Sequence, residues 1–167
     1  METLGDRFWS IIDASVDPDM DAQIDTLGNA LADMSRDEIL AFGRDFERAM
    51  LAAYRWNLSG AALVINGGFS DERFSEFRSW LIAQGKAVYD AALQDPESLA
   101  GHIKEAYGAA FEDFADVVID VYEAKFDEDY PLSESVLPAA PAGVAWDPNA
   151  LGDLYPKLTA KVAELEG

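Results

Sequence analysis

The feature that most constrains the fold is the stretch from Trp56 to Leu93, in which apolar helix-like runs alternate with glycine stops. Leu58–Ile65 is an apolar run, and periodicity alone does not distinguish a buried helix from a buried strand. Asn66-Gly67-Gly68 ends this run, because glycine takes φ > 0 without steric cost and suits the end of a helix. We expect a helix here, with a buried strand over Ala61–Ile65 as the alternative.

A second helix is predicted directly after this stop. Ser70 is a good N-cap, and Asp71 and Glu72 follow in the first turn, where the helix dipole favours negative charge. Apolar residues then recur at three- and four-residue spacing and indicate one buried, largely aromatic face: Phe74, Phe77, Trp80 and Leu81. Gly85 ends this helix.

A long run of these residues resembles a known family. It reads G-A-A-L-V-I-N-G-G-F-S-D-E-R-F-S-E-F-R-S-W-L-I-A-Q-G-K-A-V-Y and is similar to the signature of the bacterial domain-of-unknown-function family numbered 4240. Phe8, Trp9 and Ile12 fit the same family, so the resemblance extends from Arg7 to Leu99. It implies the fold neighbourhood of that family and no particular reaction.

The remaining patterns also predict helices. Asp17-Pro18 has the form of an N-cap followed by proline at the first helical position. Ser35-Arg36-Asp37-Glu38 has the form of a capping box, which predicts a helix running to about Trp56. A further helix is expected from Ala109 to Phe126, and a final helical pair is broken near Pro156. At 167 residues the chain fits one domain, so we predict an all-α, single-domain bundle of about six to nine helices.

A proline-rich segment separates the main helices from the last ones. We divide the chain into a helical domain (1–126), a strap (127–148) and C-terminal helices (149–167). Four prolines in the strap prevent a long helix or a central strand. Its apolar residues are frequent enough to predict an ordered strap packed on the domain, with Trp146 as the main contact: Tyr130, Leu132, Val136, Leu137 and Trp146.

Charge is distributed unevenly along the chain. The formal net charge is −20, yet positions 36–86 hold seven bases and seven acids, so the other 5 bases and 25 acids carry all of it. Such a chain repels nucleic-acid phosphates and anionic lipid and favours a basic protein partner. We therefore expect no binding to nucleic acid or membrane. The alternative explanation of the charge is solubility or adaptation to salt.

The composition excludes several kinds of site. There are no cysteines and there is one histidine, His102, so thiolate and multi-histidine metal sites are excluded. The acids from Asp17 to Asp25 resemble a calcium loop, but Ala22 and Gly28 stand where glycine and glutamate are required, which favours a helix start. We expect no cofactor, no metal and no catalytic residue. No signal-peptide pattern or membrane span is present, which predicts a cytoplasmic protein.

Polar and aromatic groups concentrate around the loop Asn66-Gly67-Gly68-Phe69-Ser70-Asp71. The candidate binding residues are Trp56, Asn66, Ser70, Asp71, Arg78 and Trp80. The competing interpretation is that these residues are structural, because capping the following helix is enough to explain residues such as Ser70 at this position. We expect Arg78 to be buried and paired with a carboxylate such as Asp71.

For function, the sequence favours a non-enzymatic protein-binding or regulatory module, for example one that neutralises a basic toxin. The alternative is a small enzyme or ligand-binding protein with a pocket beside the Asn66–Asp71 loop. A deep, partly apolar pocket beside Gly67 would favour the alternative, and a filled core would favour the binding module.

Overall fold

The computed structural model describes residues 5–131, 133 and 137–167, and its regular structure there is helical. The α-helices are α1 (Asp6–Ser15), α2 (Met20–Ala32), α3 (Arg36–Ala52), α4 (Trp56–Asn66), α5 (Asp71–Ala83), α6 (Lys86–Gln94), α7 (Glu112–Phe126), α8 (Leu151–Leu154) and α9 (Pro156–Glu166). Two 3₁₀ helices cover Pro96–Gly101 and Pro148–Ala150. The all-α prediction is confirmed. The alternative strand is wrong, because residues 61–65 lie inside α4.

Local capping signals account for several helix starts and ends. Ser35 Oγ accepts from the Glu38 backbone N–H and the Glu38 carboxylate accepts from the Ser35 N–H, so the capping box is present. Ser70 Oγ accepts from the Arg73 N–H at the start of α5. Gly67 ends α4 with φ of 74°, the left-handed conformation that glycine adopts without strain.

Three predicted helix boundaries are wrong, and in each case a hydrogen bond that the prediction did not include accounts for the observed start or end. Asp19 rather than Asp17 is the N-cap of α2, because the Asp19 carboxylate accepts from the Asp21 and Ala22 N–H groups. Helix α3 stops at Ala52 rather than near Trp56, since the Trp56 N–H donates to Ala142 O at 2.8 Å. Helix α7 begins at Glu112 rather than Ala109, because the Ala109 backbone is held by a side chain of α4.

Helix α5 is the centre of the core. Every residue from Phe77 to Ala83 is buried, including Arg78 and Ser79. Helices α1, α3, α4, α6 and α7 all contact it. A helix buried on all sides must satisfy its polar side chains internally. Ser79 Oγ does so by donating to Phe111 O at 2.7 Å, which joins α5 to the start of α7.

The strap and the C-terminal helices contact the rest of the chain at particular residues. Trp146 Nε1 donates to Ser59 Oγ at 2.8 Å, and Tyr155 Oη donates to Asn57 O at 2.5 Å. Leu137 is 52% exposed, in contrast to the expectation for that residue. Leu132 and Val136 lie outside the described residues. The division into three segments stays a prediction.

Candidate functional site

Side chains from other parts of the chain contact the Asn66–Asp71 loop and cover its glycine turn. The Asn66 amide makes two hydrogen bonds to the Ala109 backbone, donating from Nδ2 to O at 3.0 Å and accepting from N at 3.0 Å. The Tyr107 ring covers the glycine turn so closely that a Cβ on Gly67 would lie 2.5 Å from Tyr107 Cε1. Asn66 therefore acts as a structural clasp between α4 and the segment before α7.

Aromatic rings gather beside this loop. The Trp146 ring lies edge-on to Trp56 with centroids 6.0 Å apart, and edge-on to Phe69 at 6.1 Å. Trp56 and Trp146 are half-buried, whereas Phe69 is 41% exposed. The rings hold the strap against the starts of α4 and α5.

The six candidate residues do not line one cavity. Ser70 is an N-cap, and Asp71 is exposed in the first turn of α5. Trp80 is buried and lines a cavity of about 250 Å³ together with His102 and Gln23. Arg78 lines a different cavity on the other side of α5, described below. Four cavities in the described part of the chain lack Asn66, Ser70 and Asp71 from their walls.

Arg78 is buried, as predicted, with 3% of its surface exposed. The predicted direct pairing with a carboxylate is wrong: no ion pair among the described residues includes Arg78, and its hydrogen-bond acceptors are backbone carbonyls. The pKa of Arg78 is lowered by burial, and the charge of Asp71 acts in the opposite direction without direct contact. Nη1 donates to Met50 O at 2.8 Å, and Nε donates to Phe74 O at 3.4 Å. The guanidinium carbon lies 4.9 Å from the Tyr54 ring centre and 4.8 Å from that of Phe74, close enough for cation–π attraction.

Arg78 belongs to a set of side chains that cap the C-terminal end of α3. The last carbonyls of a helix lack intrahelical donors and carry partial negative charge. Tyr89 Oη donates to Ala49 O at 2.6 Å, and Arg55 Nε donates to Ala52 O at 3.0 Å. Burial lowers the pKa of Arg78 and raises that of Tyr89. These donors replace the bases that are missing from the last turn of α3.

Arg78 also lines a groove between α3, α5 and α7. The groove has a volume of about 350 Å³ and is closed on one side by the strap residues Tyr130, Ser133 and Leu137. Its walls are mostly apolar and include Phe46, Met50, Leu51, Ala115, Val118 and Ile119. We call it the Arg78 groove.

Carboxylates converge on the exposed side of α7, and one of them, Asp116, also lines the edge of the Arg78 groove. The four-residue spacing of Glu112, Asp116 and Asp120 places them on one helix face, and all three are exposed. The Phe111 N–H donates to Glu76 O at 3.1 Å, which brings the acids of α5 beside the start of α7. We define the acidic face by these exposed or half-exposed acids: Glu72, Glu76, Glu112, Asp113, Asp116, Asp120 and Glu123.

Within the described parts of the chain, no ion pair neutralises an acid of the acidic face. None of the ion pairs among the described residues includes Glu112, Asp116 or Asp120. The pKa of Glu112 is raised above its usual value chiefly by repulsion from Glu76. Burial and the neighbouring Asp120 raise the pKa of Asp116. Crowded carboxylates of this kind are stabilised by any cation that approaches them.

Sequence reasoning identified Arg78 but missed the groove around it. The groove joins residues from three helices and the strap, and no local pattern connects them. Residue types alone could have indicated Ser59, which lies in an otherwise apolar run and bonds Trp146. The spacing of the acids of α7 places them on one helix face, but their proximity to Glu72 and Glu76 depends on how α5 and α7 pack.

The fold and these surfaces define a helical protein with a filled central loop, an acidic face and one apolar groove with a cation in its wall. The family model described as "Protein of unknown function (DUF4240)" matches residues 4–124. The chain therefore belongs to this family, and the match confirms the resemblance seen in the sequence. Searches of curated proteins and of solved structures found no match. Among the described residues, no helix is long and apolar enough to cross a membrane.

Proposed function

We propose that this protein is a non-enzymatic binding module whose acidic face receives a basic protein partner. The observation that carries the proposal is the convergence of unneutralised carboxylates from α5 and α7, where repulsion from Glu76 raises the pKa of Glu112. A partner's Lys or Arg side chains would relieve this repulsion. Loss of the repulsion among these carboxylates would then favour binding, in addition to the attraction between opposite charges.

The charge of the whole chain supports the same partner chemistry. A net charge of −20 produces a long-range field that attracts cationic proteins and increases their association rate. A basic toxin is one partner of this kind, and its neutralisation would be a regulatory role. The same field disfavours nucleic acid and anionic membranes as partners.

The alternative function, a ligand pocket beside the central loop, receives less support. Asn66 is committed to the Ala109 backbone, and the Tyr107 ring occupies the space over Gly67. A ligand at this loop would have to displace both contacts.

The proposal can be tested with immobilised protein and lysate of the native host. In one variant Glu112→Gln, Asp116→Asn and Asp120→Asn neutralise the acidic face. A matched control carries Asp33→Asn, Asp129→Asn and Asp153→Asn, which remove three exposed acids elsewhere. We expect a basic protein to be retained by the wild type and by the control, and to be lost from the face variant.

Comparing two variants of equal net charge separates a defined surface from a general charge effect. Retention should also fall with added salt, because exposed charge pairs are screened. Equal retention by the two variants, or no basic protein bound to any of them, would contradict the proposed surface.

A further inference from the structure

The Arg78 groove contains an unusual combination of an apolar wall and a cation. Of the residues that line it, Phe46, Met50, Val118 and Ile119 present hydrocarbon, and Arg78 is the only cation. A groove of about 350 Å³ is at the small end of the range for small-molecule sites. Its size and lining therefore fit a small, partly apolar ligand.

The hydrogen-bonding capacity of Arg78 is only partly used. A guanidinium has five N–H donors, and Arg78 makes two hydrogen bonds, to Phe74 O and Met50 O. Nη2 has no acceptor among the described residues. In the described part of the chain, Ser98 Oγ is the only side-chain nitrogen or oxygen that is both fully buried and without a hydrogen-bond partner. Nη2 of Arg78 has no partner in that part of the chain and is not in this group, so it is not fully buried. Nη2 therefore retains some accessible surface, and Arg78 is one of the residues that line the Arg78 groove.

The charge of Arg78 is also incompletely balanced. The C-terminal end of a helix and the faces of aromatic rings supply partial negative charge, whereas a carboxylate supplies a full one. A buried cation without a carboxylate in direct contact is costly, and an anion bound beside it would offset that cost. A planar carboxylate matches the geometry of the guanidinium donors.

From these observations we propose that the Arg78 groove binds a small monocarboxylate with an apolar chain. The carboxylate accepts hydrogen bonds from Arg78, and the chain lies against Phe46, Met50 and Val118. This inference does not depend on the protein partner proposed above, and the groove shares one residue, Asp116, with the acidic face.

Two acids also line the groove and restrict the ligand's charge. Asp116 is exposed, at the edge of the groove, and Glu47 accepts a hydrogen bond from Ser133 Oγ at 2.8 Å. Arg78 is far more buried than either. A single carboxylate that reaches Arg78 is therefore favoured, and a second negative group near the opening would be repelled by Asp116. These acids make an amine the most informative competitor.

The test uses three probes of equal chain length: octanoate, octanol and octylamine. Each is titrated into the 167-residue protein and followed by isothermal titration calorimetry and by ¹H–¹⁵N NMR. We expect octanoate to bind about tenfold or more tightly than octanol, as one charge-assisted hydrogen bond would provide. Octylamine should bind more weakly still. Shifts caused by octanoate should include the backbone amides of Ser75, Arg78 and Ala115.

Two variants locate the binding site. Arg78→Met keeps a long apolar side chain and should remove the preference for octanoate over octanol. Because this change could prevent folding, Ala115→Trp provides a second test, since it fills the groove and leaves Arg78 in place. Circular dichroism establishes that the variant is folded, and octanoate affinity should then fall about tenfold or more.

The proposal is overturned by any of four results. These are octanol binding as tightly as octanoate, octylamine binding more tightly, unchanged octanoate affinity in folded Ala115→Trp, or no octanoate binding at millimolar concentration.

Discussion

At the scale of single residues, Arg78 connects the core to the surface. Its guanidinium caps α3, contacts the rings of Tyr54 and Phe74, and lines the Arg78 groove. Its burial is predictable from sequence, since it lies in a helix with an aromatic face. Its hydrogen-bond acceptor, Met50 O, is not predictable, because Met50 is 28 positions away and a backbone carbonyl has no sequence signature.

We predict that Arg78→Ala lowers the free energy of unfolding by about 3 kcal/mol. A hydrogen bond to a charged group contributes about 1.5–3 kcal/mol, and a cation–π contact adds about 0.5–2 kcal/mol. Urea denaturation measures the change. The exposed Arg44→Ala is the control and should stay within about 0.5 kcal/mol of wild type. A loss below about 1 kcal/mol for Arg78→Ala would mean that the guanidinium does not stabilise the end of α3.

Asn66 gives a second test at this scale. Its amide satisfies both backbone groups of Ala109, a residue that is 1% exposed. Asn66→Ala should therefore destabilise the protein by about 1–3 kcal/mol, the cost of leaving buried polar groups unpaired. The same urea measurement applies, and Asn29→Ala on α2 is the control. Equal stability of Asn66→Ala and wild type would contradict the structural role of this residue.

At the scale of helices, local signals predicted the boundaries that neighbouring residues decide. The caps at Ser35 and Ser70 and the stop at Gly67 depend on neighbouring residues, and the structure has all three. The end of α3 and the start of α7 depend on contacts with Ala142 and Asn66, which are distant in sequence. Tertiary contacts therefore explain the boundaries that local patterns misplaced.

Helix α4 packs closely against α9 and the strap through Gly60. A Cβ at this position would lie 2.6 Å from Tyr155 Oη and 2.9 Å from Trp146 Cδ1. We predict that Gly60→Ala destabilises the protein by about 1–3 kcal/mol through overpacking. Thermal unfolding followed by tryptophan fluorescence measures the change.

Gly152→Ala is the matched control, because a Cβ there meets nothing within 4 Å. It should be neutral or stabilising by up to about 1 kcal/mol, as expected for alanine replacing glycine in a helix. If Gly60→Ala were as stable as Gly152→Ala, the close packing of α4 against Trp146 and Tyr155 would be incorrect.

At the scale of the whole molecule, uneven charge dominates the surface. A carboxyl group whose pKa is raised in the folded state destabilises that state when it is ionised, and the penalty disappears as it becomes protonated. Glu112→Gln should therefore raise the melting temperature at about pH 7 and lose this advantage at about pH 4, where the carboxyl group is mostly protonated. Differential scanning calorimetry at both pH values tests this. A gain that persists at low pH would exclude charge repulsion as the cause.

The acidic face was only partly predictable for the same physical reason. The spacing of Glu112, Asp116 and Asp120 predicts one helix face, but the approach of Glu76 follows from the packing of α5 on α7. Net charge indicates the chemistry of a partner, whereas the location of the binding surface requires the fold.

Site-specific photo-crosslinking tests the proposed binding surface most directly. A photoreactive phenylalanine analogue replaces Ala124, an exposed residue of α7 beside the acidic face, or Ala160, an exposed residue of α9. Neither change alters the charge. After irradiation in lysate of the native host, we predict a basic protein crosslinked through position 124, with a yield that falls as salt is added and with little product through position 160. Equal products from the two positions, or a product through position 160 alone, would contradict the assignment of the acidic face as the binding surface.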